Sequence, residues 1–235
     1  MVEENGSIRT LSVDIGGSGV KAMLLDIKGN PLTERARLDT PQPAKPEIVI
    51  NVINSLADIQ GEFDRVSVGF PGVVRGGVTE TAVNLDPDWI GFDLATSLSK
   101  RLNKPVRVIN DADMQGYGAI SAKGVELTIT LGTGFGSALF VDGKLVPNLE
   151  MGHHRFRKGE TYEQQLGRAT LDIIGDKKWN GRLSKAIASL ENLFNYDYLY
   201  IGGGEAARVK IELPGNVKII PNISGLLGGI ALWRN

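Results

Sequence analysis

Two glycine-rich turns, DIGGSG at residues 14–19 and TLGTGFG at residues 130–136, each lie between short apolar runs of strand type. Amides beside missing β-carbons can approach an anion closely, so the pair is predicted to form two phosphate-holding hairpins facing one cleft. Displacing the chain by 116 positions lays Asp14 on Thr130, Gly16 on Gly132, Ala22 on Ala138, Asp26 on Asp142 and Lys28 on Lys144. That correspondence marks an internal duplication. Phosphoryl transfer needs amides around the phosphates, a carboxylate for a metal ion, and a group that positions or deprotonates the attacking hydroxyl. Gly16, Gly17, Ser18, Thr130, Gly132, Thr133 and Gly134 are candidates for the first task. Asp14, just ahead of its turn, either holds Mg2+ through water or satisfies the turn's own amides. Asn110, Asp111, Ala112 and Asp113 follow an apolar run, at a strand's carboxyl end where open α/β sheets bind ligands. The same residues also read as a helix N-cap, and two aspartates compete for the role of base. Asn84 and Trp89 in NLDPDW, and Glu150 to His154, complete the polar candidates. The two histidines, 153 and 154, are adjacent and lack cysteine neighbours, which favours hydrogen bonding over a zinc site.

Positioning such groups takes a sizeable core, and 235 residues supply one. The net charge of −1 gives no basic face for nucleic acid and suits small molecules or metal-neutralised phosphates. Without cysteine there is no disulfide, thiolate zinc site or cysteine nucleophile. The first ten residues are polar and acidic, unlike a secretory signal, and the apolar stretch at 223–233 is too short and glycine-rich to cross a membrane. A cytoplasmic protein is expected. Glycine numbers 30 and falls in clusters, which marks sharp turns and close backbone approaches.

The pattern predicts strands at 11–15, 20–27, 35–38, 66–70 and 106–109, with helices from Pro46 to about residue 60, at 94–102 and at 112–122. The second half repeats the plan, with strands at 127–131, 137–141, 198–201 and 217–220. Its helices are expected at 162–174, 182–194, 206–211 and 224–233. This order signals an α/β layer architecture. The domain division expected is 1–111 plus 222–235 against 112–221.

Read as strings, LSVDIGGSGVKAMLLD, VGFPGVV, NLDPDWIG, VINDAD, TLGTGFGSALFVDGKLVPNLEMGH and YIGGGE resemble the ROK sugar kinases, within the fold class shared with actin. Ser18-Gly19, TPQPA at 40–44 and LVPNLEMGH are similar to the polyphosphate glucokinase branch of that family. The resemblance implies a two-lobed actin-like α/β fold of ribonuclease H-like repeats. It also implies transfer of a phosphoryl group from inorganic polyphosphate, ATP or both, with Mg2+, to the 6-hydroxyl of glucose or mannose. On this reading Asp111 is the base, Asn84, Asn110, Glu150 and His153 bind the hexose beside the Gly72 backbone, and Gly203 and Gly204 line the donor's far end. A homodimer is implied too. Residues 155–159 stand where most members carry a cysteine-rich zinc motif, so no structural zinc is expected, and Glu160 or Glu163 replaces a further family glutamate. Two alternatives stay open: an ATP-only kinase for another hexose or an N-acetylhexosamine, and a non-catalytic sugar-binding regulator.

Overall fold

The computed structural model describes residues 8–83 and 85–234; Asn84 lies outside the described residues. Two compact units form, one from the residues up to Met114 together with those from Gly225 onward, the other from Gln115 to Ser224.

The first unit carries β1 Thr10–Ile15, β2 Gly19–Leu25, β3 Ala36–Asp39, β4 Arg65–Phe70, β5 Val74–Arg75, β6 Val78–Thr79, β7 Phe92–Asp93 and β8 Val106–Asn110. Its main sheet has the order β3-β2-β1-β4-β8, antiparallel through β3, β2 and β1 and parallel through β1, β4 and β8. The short strands β5, β6 and β7 make a separate ribbon. Alternation along the strands decides which face is covered. Leu11, Val13, Ile15, Val20, Ala22, Val66, Val68 and Phe70 are buried in one apolar cluster with Val49, Ile53 and Leu56 of α1, Pro46–Gln60, and Leu94 and Leu98 of α2, Leu94–Leu102. Pro46 opens α1 because its fixed φ suits the first helical position, where its missing amide costs nothing.

The opposite face of that sheet carries small polar residues and receives the chain's last segment. Ser12 Oγ donates to the Leu226 carbonyl at 2.6 Å, and Ser67 Oγ to the Gly229 carbonyl at 2.7 Å. Trp233 donates Nε1 to Ser67 Oγ at 2.8 Å, and its ring is flanked by the guanidinium groups of Arg65 and Arg107. The single helix expected at 224–233 is instead a four-residue α-turn, Ser224–Leu227, followed by a 3-10 segment, Gly228–Trp233. Gly228 and Gly229 favour the tighter winding, and Gly229 has no room for a side chain against Ser12 and Ser67.

The second unit carries β9 Val125–Leu131, β10 Phe135–Val141, β11 Lys144–Val146, β12 Arg155–Arg157, β13 Glu160–Thr161, β14 Tyr198–Gly202 and β15 Val217–Ile219. Its main sheet has the order β11-β10-β9-β14-β15, with the strand directions of the first sheet repeated pair for pair. Leu127, Ile129 and Leu131 bury against Trp179, Leu183, Ile187 and Leu190. Several helices differ from expectation. The helix after β8, α3, spans Asp111–Tyr117 and stops short of residue 122. Glycines 116 and 118 weaken its end, and the buried Glu126 carboxylate captures the amides of Ser121 and Lys123 that a longer helix would use. The helix expected at 162–174 divides into α4, Tyr162–Leu166, and the start of α5, Arg168–Phe194. Gly175, at φ 72°, interrupts α5, so its second stretch begins well before residue 182. Residues 206–208 form only a 3-10 turn, and the polar segment at 153–161 contains the β12-β13 ribbon.

Candidate active site

In the first unit, strand register brings the predicted residues into one row. Asp14 faces Lys21 across the β1-β2 pair and Gly69 across the parallel β1-β4 pair. Gly69 in turn faces Ile109 of β8, two residues ahead of Asp111, the first residue of α3. A Cβ at Gly69 would stand 3.3 Å from Asp111 Cα and 2.7 Å from Met114 Cε, so only glycine lets the start of α3 lie this close to the sheet. Asp14 and Asp111 therefore share a sheet face with one side-chain-free position between them.

The helix-cap reading of the segment at 110–113 is realised. Asn110 Oδ1 accepts from the amides of Ala112 and Asp113, at 2.8 and 3.1 Å, while its Nδ2 donates to the Gly72 carbonyl at 3.1 Å. The cap of α3 thus also fixes the loop after β4. Asp111 Oδ1 accepts from the Ala112 amide at 2.8 Å, which orients the carboxylate at the head of the helix.

The first glycine turn is held from β3 and the residue that follows it. The Thr40 hydroxyl donates to the Gly16 carbonyl at 2.5 Å, and Arg37 donates to the Ser18 carbonyl at 2.8 Å. The Gly16 amide bonds back to the Gly19 carbonyl at 3.1 Å. Asp14 Oδ2 pairs with Lys21 Nζ at 2.8 Å in a part-buried setting. One carboxylate oxygen so engaged leaves the other for a hydrated cation, which suits Mg2+ because that ion keeps much of its water. No cluster of three or more His, Cys, Asp or Glu groups able to hold a metal occurs among the described residues.

In the second unit Thr130 stands opposite Gly136, and the Gly132 amide bonds to the Gly134 carbonyl at 3.2 Å. Gly203 packs directly on the backbone of Leu131, where any side chain would overlap, and open space surrounds the Cβ position of Gly204. Glu150 and His153 come together at 3.6 Å. Burial pushes the Glu150 carboxyl above its ordinary range; His153 pulls it down, and Glu163 raises it again. Of the two candidate glutamates, Glu163 is the one whose charge acts on Glu150, and it accepts from the Phe135 amide at 3.2 Å. Glu160 instead bonds to Gln165. Ser137 ties the Glu150 segment to β10, donating to the Leu149 carbonyl at 2.8 Å and accepting from the Met151 amide at 3.1 Å.

Sequence reasoning missed Arg37, Ser137, Arg168 and Glu205. Arg37 and Ser137 meet turn and loop backbone, at the Ser18 carbonyl and at Leu149 and Met151, and Arg168 and Glu205 are a sequence-distant pair; Ser137 and Glu205 fall inside the motif strings, but spacing alone gave none of the four a role.

The chain is 34% identical over 216 residues to the polyphosphate glucokinase of Mycobacterium leprae, covering 88% of this chain and 66% of that one. It is 31% identical over 234 residues to the polyphosphate glucokinase of Mycobacterium tuberculosis strain CDC 1551, covering 92% and 88%. The crystal structure of inorganic polyphosphate/ATP-glucomannokinase from Arthrobacter sp. strain KM superposes with a TM-score of 0.87 at 36% identity, covering 97% of this chain and all of that one. The fold is the actin-like two-lobed α/β fold of the sugar kinases. The model of the ROK family matches residues 10–164, and the chain belongs to the ROK family.

Proposed function

We propose that the protein transfers the terminal phosphoryl group of inorganic polyphosphate or ATP to the 6-hydroxyl of glucose, with mannose as a second acceptor. The observation that carries this reading is the row of Lys21, Asp14, Gly69 and Asp111 on one sheet face, in a chain resembling polyphosphate glucokinases over most of its length.

Asp111 accepts the proton of the attacking hydroxyl, a contribution of about 10² to 10⁴-fold. Asn110 sets the pitch of α3 and retains a second Nδ2 hydrogen for the sugar. Asn84, Glu150 and His153, with the Gly72 backbone, accept and donate to the hexose hydroxyls. Glu163 joins Glu150, since two carboxylates at one site make strong acceptors for neutral hydroxyls. Gly16, Gly17, Ser18, Thr130, Gly132, Thr133 and Gly134 form the phosphate turns. The amides of Gly16 and Gly132 shape those turns and leave the others to meet the anion. Gly203 and Gly204 line the donor's far end. Mg2+, when bound, neutralises charge on the transferring group, and Asp14 would hold it through water. The two compact units serve as the lobes of the kinase, and the working form is a cytoplasmic homodimer. Among the described residues no helix is long and apolar enough to cross a membrane.

The test is a coupled glucose 6-phosphate assay with Mg2+, run with ATP and with long-chain polyphosphate on wild type and Asp111→Asn. Wild type is expected to turn over with at least one donor. Asp111→Asn is expected to keep glucose binding and lose about 100-fold or more in turnover. Retention of more than about a tenth of the rate rejects Asp111 as the base.

A further inference from the structure

Two flanking segments hold the second glycine turn. On one side the Arg168 amide donates to the Gly132 carbonyl at 2.9 Å, and Gly167 abuts the Thr133 carbonyl, where a Cβ would come within 2.9 Å. On the other side the Glu205 amide donates to the Leu131 carbonyl at 2.9 Å, two residues after Gly203, which packs on Leu131. The two flanks meet in an ion pair between Arg168 and Glu205.

That pair is asymmetric. The Glu205 side chain is 6% exposed and that of Arg168 is 53% exposed. A nearly buried carboxylate beside an anion cradle repels phosphate unless a cation covers it. Arginine can cover it and still act elsewhere, because its planar group has five N–H donors and one carboxylate uses only one edge of the fork. Several other basic side chains are committed differently. Lys21 pairs with Asp14, Arg37 with Asp39 and the Ser18 carbonyl, and Arg208 and Lys210 with Asp176.

We propose that Arg168, oriented by Glu205, binds the phosphate chain of the donor beside Thr133 and Gly134. This rests on the kinase reading, in which that turn meets a polyanionic donor. Arg168 is then a donor-affinity determinant, and Glu205 is a positioning residue that aims it.

Titration calorimetry with long-chain inorganic polyphosphate at several salt concentrations tests the assignment. Arg168→Gln is expected to weaken polyphosphate binding about tenfold and to lower the slope of log affinity against log salt by about one. Arg168→Lys should recover the slope and part of the affinity, and glucose affinity should not move in either variant. Glu205→Gln breaks the same pair but keeps the arginine's charge, so it should retain the wild-type slope. Equal losses in Arg168→Gln and Glu205→Gln with unchanged slopes would overturn the inference, leaving a purely structural pair. Unaltered polyphosphate binding in Arg168→Gln would overturn it as well. A wild-type protein that binds neither polyphosphate nor ATP and forms no glucose 6-phosphate would sink the kinase reading itself, a distinct outcome.

Discussion

The two glycine hairpins are built on one plan and differ in where their charge comes from. At the 116-residue offset β2 falls on β10 residue for residue, and the ends of β1 and β9 coincide. Yet Ile15 pairs with Val20 while Leu131 pairs with Phe135, so the second turn is one residue tighter. The first hairpin carries its own ion pair, Asp14 with Lys21, on its strands. The second has Thr130 in place of the aspartate, and the charges around it, Glu163, Arg168 and Glu205, come from distant segments. A duplicated backbone thus kept its shape while its chemistry diverged. One copy carries a charged pair on its own strands, and the other is a neutral turn supplied with charge from outside.

The largest expected contrast lies at the equivalent strand ends. Asp14→Ala should lower kcat about 100-fold, whereas Thr130→Ala should cost about tenfold or less, because only the first removes a charge close to the transferring group. Saturating coupled assays measure both, and equal losses would break the comparison. Next come the glycines beside these residues, Gly69 next to Asp14 and Gly202 next to Thr130. Gly69→Ala meets backbone of Asp111 and the end of Met114, and should cost about tenfold or more in kcat by displacing Asp111. Gly202→Ala meets the end of the Gln115 side chain rather than backbone, so its rate should stay within about threefold of wild type.

Smaller effects come from the far ends of the same strands, where Thr10 corresponds to Glu126. Burial raises the Glu126 carboxyl, but hydrogen bonds from Ser121, Tyr200 and Lys123 outweigh it and hold it below the usual range. A lowered folded-state pKa gives stability that is present above about pH 4.5 and lost as pH falls through the folded value. Glu126→Gln should therefore lower Tm by about 2–4 °C at pH 7, with the gap to wild type closing in acid, while any loss in Thr10→Val should not vary with pH. Melting curves at pH 7 and pH 3.5 decide this. The smallest effect is a gain. Burial raises Glu150, so its charge opposes folding above that raised value, and Glu150→Gln should raise Tm by about 1–2 °C at pH 7 while weakening glucose affinity. A fall in Tm would show that Glu150 serves stability rather than the sugar.

The sequence made the sheets, the duplication and the strand-to-helix join at Asp111 legible because strands with one buried face alternate, and because tight turns and close backbone approaches demand glycine at fixed places. Helix ends were less legible. Glu126 truncates α3 and Gly175 divides α5 through contacts or backbone angles that no periodicity encodes. Asn110 was readable as a cap, and the structure adds what the sequence did not: its oxygen serves the helix while its nitrogen serves Gly72. Arg168 and Glu205 lay beyond reach for a different reason. Their relation exists only once β9, β14 and the start of α5 converge at one sheet end.

The docking of residues 225–234 on the first unit's sheet has a consequence for biosynthesis. During translation the ribosome releases β1 to β8 long before Leu226, Gly229 and Trp233 emerge to cover Ser12 and Ser67. The amino-terminal sheet must wait through synthesis of the entire intervening unit with one side open, so nascent chains stalled near residue 220 should be the species most in need of a chaperone.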